Sequence, residues 1–232
     1  MPNELKKKSL QEIYTILYIR KLTGNTKNIG DLYLGEYLDL SNKGLKSIPF
    51  FNFPQLKSLQ LDGNKLTYIP EFKFLNLVYL YLGYNDLKNL PKLDLPNLRS
   101  LGVYNNQLEN ISELKLPNLR SLYLSKNKLK NMQIFNFPNL EKLYLDYNLL
   151  TTISLSNYPQ LRELYLHDNL LENISLINFP ELKLLDLDNN RLTKTPLLEL
   201  RRLGYLSLRN NLLNEEEKSN AVNYYKIPNL YV

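Results

Sequence analysis

The 232-residue sequence contains no cysteine, no tryptophan and a single histidine, His167. The absence of cysteine excludes disulfide scaffolds, cysteine-ligated zinc, iron–sulfur clusters and cysteine nucleophiles. A single histidine excludes any site that requires two imidazoles. No stretch approaches the roughly 18 uninterrupted apolar residues that a membrane-spanning helix needs. We therefore expect a protein with no metal, no cofactor and no membrane partner.

Neither sign of charge is concentrated in one segment. The formal net charge is +6, yet the densest basic run is only Lys6-Lys7-Lys8. Nucleic-acid-binding proteins gather their basic residues in a patch, so we expect no nucleic-acid partner. The apolar stretch Ile13–Ile19 is followed directly by Arg20 and Lys21 rather than by a small-residue cleavage site. The sequence therefore predicts no cleaved signal peptide and a cytoplasmic or other intracellular location.

Leucine recurs at a fixed spacing along most of the chain. The block Leu56-Lys-Ser-Leu59-Gln-Leu61-Asp-Gly-Asn64-Lys-Leu66 returns every twenty-one residues, and a less perfect copy precedes it. The nine units begin at Gly35, Leu56, Leu77, Leu98, Leu119, Leu140, Leu161, Leu182 and Leu203. Each unit places leucine on alternate positions of a short stretch, which predicts one strand per unit with leucine facing inward.

This pattern resembles that of the leucine-rich repeat superfamily, whose signature is L-x-x-L-x-L-x-x-N-x-L at a period of 20–29 residues. The resemblance implies an α/β solenoid, a horseshoe with a parallel β-sheet on its concave face. It also implies an asparagine ladder, in which the side-chain amide at the ninth position of each unit satisfies backbone groups. The ninth positions are Asn64, Asn85, Asn106, Asn127, Asn148, Asn169, Asn190 and Asn211.

The second half of each unit is predicted to return along the convex side. Its apolar columns include Phe53, Phe74, Phe137 and Tyr158, and a proline follows most members of that column. Proline fixes φ and has no N–H donor, so this return is predicted to be extended or 3₁₀-like rather than α-helical.

Both ends of the repeat array are predicted to be covered. Ser9–Leu22 has a capping box and an apolar stripe, which indicates a helix that seals the first repeat or, alternatively, docks a partner helix. Asn214 followed by three glutamates indicates a second helix start, and Ile227–Leu230 resembles the start of a tenth, incomplete turn. The predicted domains are an N-terminal helical cap over 1–34, repeats over 35–213 and a C-terminal cap over 214–232.

The third, fifth, seventh and eighth positions of each unit alternate with the leucines and are predicted to point outward. Ten of the eighteen tyrosines occupy these positions. Tyrosine suits binding surfaces because it combines rigid contact area with a polar tip, although strand propensity alone explains part of the enrichment. The predicted partner-binding residues are Tyr79, Tyr81, Tyr84, Tyr104, Tyr123, Tyr144, Asp146, Tyr147, Tyr165, His167, Asp168, Asp186 and Asp188.

Basic residues dominate the second position of the units and are predicted to form a rim along one edge of the sheet. They are Lys57, Arg99, Arg120, Arg162 and Lys183. A basic rim, an aromatic centre and an acidic side fit a partner with a basic or mixed-charge, partly apolar segment. Duplex nucleic acid fits poorly, because its phosphates would meet aspartates.

Two chemical alternatives arise at the single histidine. Ser125 and Asp146 lie in the same column as His167, which resembles a Ser-His-Asp triad, but nothing supplies an oxyanion hole or an enclosed pocket. Asp146, Asp168, Asp186 and Asp188 could gather oxygen ligands for a cation, although an acidic recognition patch is favoured. We therefore expect a protein that is not an enzyme.

The leading hypothesis is a non-catalytic recognition module that binds a protein or peptide on its concave face. The sequence does not determine the oligomeric state, and a monomer is favoured. The alternatives are an assembly subunit or spacer that makes contacts through its ends or edges and, less favoured, a carbohydrate-binding protein. The absence of the cysteine-stapled caps of animal extracellular relatives favours an intracellular or microbial protein. Short repeats behind a helical N-terminal cap resemble those of some bacterial effectors, so a host-targeting effector, located in the host cell, is a further hypothesis.

Overall fold

A computed structural model describes residues 36–48, 53–111, 114–132, 136–196 and 198–232. The predicted helix over Ser9–Leu22 and the predicted domain over 1–34 lie outside the described residues. Over the part of the chain that the structure describes, no helix is long and apolar enough to cross a membrane.

The main element is a ten-stranded parallel sheet in the order β1-β2-β3-β5-β7-β8-β10-β12-β13-β14. Its strands are β1 (Tyr37–Asp39), β2 (Ser58–Gln60), β3 (Tyr79–Tyr81), β5 (Ser100–Gly102), β7 (Ser121–Tyr123), β8 (Lys142–Tyr144), β10 (Glu163–Tyr165), β12 (Leu184–Asp186), β13 (Tyr205–Ser207) and β14 (Asn229–Tyr231). Equivalent residues pair across the strands, as Leu59 does with Leu80. The central leucine of each of the first nine strands in this order is fully buried. The predicted strand in each unit and its inward leucines are therefore confirmed.

The asparagine ladder holds the turn that follows each strand. Asn148 donates from Nδ2 to the Leu124 and Leu145 carbonyls at 3.0 and 2.9 Å, and its Oδ1 accepts from the Leu129 N–H at 3.1 Å. Equivalent bonds recur at Asn64, Asn85, Asn106, Asn127, Asn169, Asn190 and Asn211. Each amide thus satisfies buried backbone groups of two neighbouring units, and the ladder implied by the resemblance is confirmed.

A second asparagine ladder, which the sequence analysis did not find, lies at the entrance to the strands. Asn76, Asn97 and Asn118 each donate from Nδ2 to the carbonyl twenty-two residues earlier, at 2.8 Å, and Asn139 does so at 3.0 Å. Its signal in the sequence is an asparagine directly before the first leucine of four consecutive units.

The return on the opposite side is extended in two places. Strand β4 (Leu93–Asp94) pairs in parallel with β6 (Leu114–Lys115), and β9 (Thr152–Ser156) pairs in parallel with β11 (Asn173–Ile177). The described residues contain no 3₁₀ helix, so the extended form of the prediction is the one observed there. Phe53, Phe74, Phe137 and Tyr158 are buried beneath this side, as their column predicted.

Helix α1 (Glu215–Tyr224) covers the last repeat. Its N-cap is Asn214, whose side chain accepts from the Glu217 N–H at 2.8 Å, as predicted. Thr195 donates to Glu217 through both its N–H and its hydroxyl, at 2.7 and 2.6 Å. Strand β14 then pairs with β13, so the predicted tenth turn contributes a strand to the sheet.

Candidate functional site

The candidate site lies on the open face, which we define as the side of the ten-stranded sheet that points away from the leucine core. It carries the third, fifth, seventh and eighth positions of each unit. The strands are parallel and in register, so residues twenty-one apart in sequence become neighbours. Side chains that are remote in sequence thus form columns across the face.

Three tyrosines form a stack at the centre of the open face. The Tyr123 and Tyr144 ring centroids lie 4.8 Å apart with an interplanar angle of 28°, and those of Tyr144 and Tyr165 lie 4.5 Å apart at 15°. We call Tyr123, Tyr144 and Tyr165 the tyrosine stack. All three are half-buried, so the stack is ordered by its own contacts and still offers surface to a partner.

Two charged side chains support the stack from the neighbouring column. The Tyr144 hydroxyl donates to Glu163 Oε2 at 3.0 Å, and Lys142 Nζ lies 2.8 Å from Glu163 Oε1. Burial and, to a smaller extent, the hydrogen bond to Glu163 raise the pKa of Tyr144 well above its ordinary value. The hydroxyl therefore stays protonated, and able to donate, to a higher pH than that of an ordinary tyrosine.

Tyr81 and Tyr104 are held in a different way. A Cβ added to Gly102 would meet Tyr81 Cδ1 at 2.8 Å, and a Cβ added to Gly83 would meet Tyr104 Cζ at 2.5 Å. Each ring therefore lies over a glycine of the neighbouring unit, and we call Tyr81 and Tyr104 the reclined pair. The two glycines have ordinary backbone angles, so they are required for space and not for conformation.

The reclined Tyr104 is fixed by Asp62. Its hydroxyl donates to Asp62 Oδ1 at 3.3 Å, and the same oxygen accepts from the Gly83 N–H at 2.8 Å. Burial and the negative charge of Asp62 raise the pKa of Tyr104 to about 12. Burial also raises the pKa of the Asp62 carboxyl above its ordinary value.

His167 lies in a hydrogen-bonded chain and not in a triad. Ser125 Oγ donates to Asp146 Oδ1 at 2.6 Å, whereas His167 Nδ1 lies 2.8 Å from Asp168 Oδ2 and its Nε2 lies 3.8 Å from Asp146 Oδ2. The Ser125 hydroxyl is thus bonded to a carboxylate and not to the imidazole, so His167 is not positioned to activate it as a triad histidine would. Among the described residues, no group of three or more potential ligands is placed to hold a metal ion.

The four aspartates next to His167 form an acidic patch, defined as Asp146, Asp168, Asp186 and Asp188. Asp186 Oδ1 accepts from the Asp188 N–H at 3.1 Å, and burial raises the pKa of Asp186. Of the residues that the structure describes, only His167 forms an ion pair with the patch. Four carboxylates therefore face a single imidazole, and the patch has a net negative charge.

Two further tyrosines project from the ends of strands. Tyr84 is 58% exposed and contacts the edge of Tyr104 at a centroid distance of 5.4 Å. Tyr147 is 47% exposed, contacts His167 edge-on at 5.1 Å, and has Lys126 Nζ 5.3 Å from its ring centroid. The negative charge of Asp168 raises the pKa of the Tyr147 hydroxyl.

The thirteen predicted partner-binding residues therefore differ in how much of each side chain is exposed. Tyr79 is exposed at 42%, and the tyrosine stack, the reclined pair and most of the acidic patch are half-buried. Asp146 differs, because it is buried at 8% exposure beneath its bonds to Ser125 and His167. It contributes charge to the patch and not contact area.

The predicted basic rim lies along a groove of about 320 Å³ at the entrance to the strands. Its lining includes Lys57, Arg99 and Arg120 together with the second asparagine ladder. Lys57 forms a salt bridge with Glu36 at 2.8 Å and Arg120 forms one with Glu141 at 3.0 Å. Two of the five positive charges that the sequence predicts along the rim are thus paired with glutamates of neighbouring units.

Family models described as leucine-rich repeats match residues 75–116, 117–171 and 181–203, which together span more than half of the chain. No curated protein sequence matches the chain.

Several solved structures share the fold. YopM from Yersinia enterocolitica WA-314 is 29% identical with a TM-score of 0.64, over 89% of this chain and 52% of that one. The leucine-rich repeat domain of APL1 is 27% identical with a TM-score of 0.72, over 85% and 55%. A chain of the LRIM1/APL1C complex is 28% identical with a TM-score of 0.74, over 85% and 39%. The chain therefore spans about half the length of these relatives, and it belongs to the leucine-rich repeat superfamily.

Proposed function

We propose that this chain is a non-catalytic recognition module that binds a protein or peptide across the open face. The observation that carries the proposal is the tyrosine stack. Three aligned, half-buried rings form a preorganised aromatic surface, which a partner can cover without ordering flexible side chains.

The charges around the stack support a basic or mixed-charge partner segment. The acidic patch begins at Asp146, in the same unit as Tyr144, and among the described residues only His167 forms an ion pair with its carboxylates. Nucleic acid is disfavoured because its phosphates would approach these carboxylates. The bond between Ser125 and Asp146 supports a role without catalysis.

A narrower form of the proposal adds where the protein acts. One matched structure is described as YopM, a leucine-rich effector protein from Yersinia pestis, 26% identical over 89% of this chain. This likeness supports an effector that acts inside a host cell. The similarity to a chain of the LRIM1/APL1C complex supports a protein partner in more general terms.

A structural role in assembly is the second candidate, and one observation favours it. Strand β14 ends the sheet, and of the described strands it pairs only with β13. The edge of a strand that pairs on one side only is a template for association with another strand. This role would place the contact at the end of the solenoid and not on the open face.

The deciding experiment changes the tyrosine stack together, as Tyr123→Ala, Tyr144→Ala and Tyr165→Ala. We expect proteins captured by the wild type from a lysate of the native organism or its host to be lost, and the purified partner to lose binding in calorimetry. Tyr68→Ala, an exposed tyrosine away from the open face, is the control.

Unchanged capture by a folded triple variant would overturn the proposal. Self-association in light scattering that ignores the triple change but responds to a proline at Leu230 would establish the assembly role instead. Binding to a glycan array that is lost in the triple variant would replace the protein partner with a carbohydrate.

A further inference from the structure

The eighth position of every described unit has a left-handed backbone. The positive φ angles run from 50° to 68°, including 51° at Tyr84, 56° at Lys126 and 54° at Tyr147. The eighth-position N–H donates to the next unit, as Tyr84 N does to the Tyr104 carbonyl and Tyr147 N to the His167 carbonyl, both at 3.0 Å. The stacking of units therefore imposes this conformation whatever side chain is present.

Most units carry a residue type that tolerates the conformation. The tolerant residues are Asn42, Gly63, Asn105, Asp168, Asn189 and Asn210. Glycine has no Cβ, and the short polar side chains of asparagine and aspartate bond locally, so these types are the least destabilised there. Two asparagines elsewhere in the chain, Asn157 and Asn178, also have positive φ, which shows the same choice away from the open face.

Tyr84, Lys126 and Tyr147 are the three exceptions among the described residues. A large L-residue in this conformation is destabilising, and neither tyrosine gains burial in return, since they are 58% and 47% exposed. Tyr84 contacts the Tyr104 ring, Lys126 and His167 contact the Tyr147 ring, and the Tyr147 hydroxyl interacts with Asp168. These exposed contacts are weak and do not explain why both positions depart from asparagine.

We propose that Tyr84 and Tyr147 are specificity-determining residues of the recognition face, retained for partner contact at a cost in stability. Lys126 positions the Tyr147 ring. This inference rests on the proposed function and narrows it, because it identifies the residues that select the partner and gives them a signature independent of binding.

Charge complementarity identifies the occupant as a protein segment that carries lysine or arginine. Tyr147 stands beside Asp168, whose charge raises the pKa of its hydroxyl, and Asp186 and Asp188 lie further along the same face. Cationic side chains combine attraction to these carboxylates with stacking on the tyrosine faces. An acidic segment would be repelled there.

The stability signature is tested by Tyr84→Asn and Tyr147→Asn. We expect Tyr84→Asn to raise Tm by about 2–4 °C, because asparagine relieves the left-handed strain. We expect a smaller rise for Tyr147→Asn, which loses the contacts with Lys126, His167 and Asp168, whereas Tyr84→Asn loses the edge contact with Tyr104. The reverse change Asn105→Tyr is expected to lower Tm by about 2–4 °C.

Tyr68→Asn is the matched control for this measurement. Tyr68 is as exposed as Tyr84, at 58%, but is not among the residues with positive φ. We expect no rise in Tm from this change. A fall in Tm for Tyr84→Asn, or an equal rise for Tyr68→Asn, would overturn the inference.

The binding signature is tested with a random peptide library displayed on phage and selected against the immobilised wild-type protein. We expect selected peptides to be enriched in lysine and arginine. We also expect them to bind the Tyr84→Asn, Tyr147→Asn double variant at least tenfold more weakly, while Tyr68→Asn binds them as the wild type does. Acidic peptides, unaffected binding to the double variant, or no enrichment at all would each overturn the inference.

The two proposals fail separately. If the asparagine variants are no more stable and still bind, while the tyrosine-stack variant loses its partner, the open face remains the recognition surface and Tyr84 and Tyr147 lose their role. If the tyrosine-stack variant retains its partner, the proposed function itself fails.

Discussion

The reclined pair and the tyrosine stack are two neighbouring parts of one face that use the same residue in opposite ways. In the reclined pair each ring lies over a glycine, and the Tyr104 hydroxyl bonds to Asp62 two units away. In the stack no glycine intervenes, and each ring rests on the next at 4.5–4.8 Å. Tyr81 and Tyr104 thus lie over neighbouring glycines, whereas Tyr123, which pairs with Gly102 on one side, stacks on Tyr144 on the other.

This difference teaches that the variable columns of the repeats are not independent positions. Gly83 and Gly102 have no side chain of their own to offer a partner, yet they determine the pose of Tyr104 and Tyr81. The stack, in contrast, determines its own pose, because its three rings are stabilised by mutual contact. Substitutions in the two parts should therefore change the free energy of unfolding by different amounts and for different reasons.

The largest expected effect is that of Tyr144→Ala, at the centre of the stack. This change removes two ring contacts and the hydroxyl bond to Glu163, which together stabilise the fold by about 2–4 kcal/mol. Tyr81→Ala in the reclined pair should cost at least ~1 kcal/mol less, because its hydroxyl bond to Ser100 is long, at 3.4 Å, and no stacked partner is lost.

Urea unfolding of both variants measures this contrast. Equal losses of unfolding free energy in the two variants would mean that ring stacking adds no stability beyond burial. The reclined pair and the tyrosine stack would then differ in geometry and not in stability.

An intermediate effect is expected from Gly83→Ala. The new methyl group would overlap Tyr104 Cζ at 2.5 Å and Asp62 Oδ1 at 2.8 Å, so the ring must leave its position. We expect a loss of about 1–2 kcal/mol in the free energy of unfolding. Because Tyr104 is also displaced from Asp62, its absorbance titration should move towards that of an exposed tyrosine.

Gly204→Ala is the matched control for this change. A Cβ at Gly204 would approach only the Lys183 carbonyl, at 3.9 Å, so we expect a neutral effect or a gain of about 0.4–1 kcal/mol from the less flexible unfolded chain. If both alanines are neutral, the Tyr104 ring adapts without cost and the glycine does not hold it.

The interior of the fold was predictable from the sequence, and the reason is physical. Leucine must be buried on every unit and the ninth-position amide must satisfy buried carbonyls, so both recur at a fixed spacing. The C-terminal helix was predictable because Asn214 and the three following glutamates satisfy local rules of helix capping. These constraints act within one unit or one turn.

The pose of the side chains on the open face was not predictable in the same way. In the sequence, Gly83 and Gly102 are column positions without a side chain that could contact a partner. Their role is to leave space for a tyrosine ring of the neighbouring unit, and the sequence of their own unit does not show it. The left-handed eighth position had a signal, since Asn42, Gly63 and Asn105 share it, but Tyr84 and Tyr147 obscured it. The burial of Asp146 depends on Ser125 and His167 of the adjacent units.

The smallest expected effect is that of removing one tyrosine hydroxyl group. The pH dependence of this effect compares the reclined pair with the tyrosine stack. Tyr104→Phe removes the bond to Asp62 and should cost at most about 1 kcal/mol at pH 8. The pKa of Tyr104 is raised to about 12 in the folded protein, against about 10 in an unfolded chain. The contribution of this hydroxyl is therefore fully present below about pH 10 and is lost as the pH rises towards 12.

The measurement is the difference in unfolding free energy between wild type and Tyr104→Phe across pH 8–12. The difference should shrink as the pH rises, because the folded state keeps a proton that the unfolded state has already released. Tyr144→Phe should behave in the same direction, since burial and the bond to Glu163 also raise the pKa of Tyr144. A difference that stays constant for Tyr104 but shrinks for Tyr144 would show that only the stack, and not the reclined pair, holds its hydroxyl in a bond to a carboxylate.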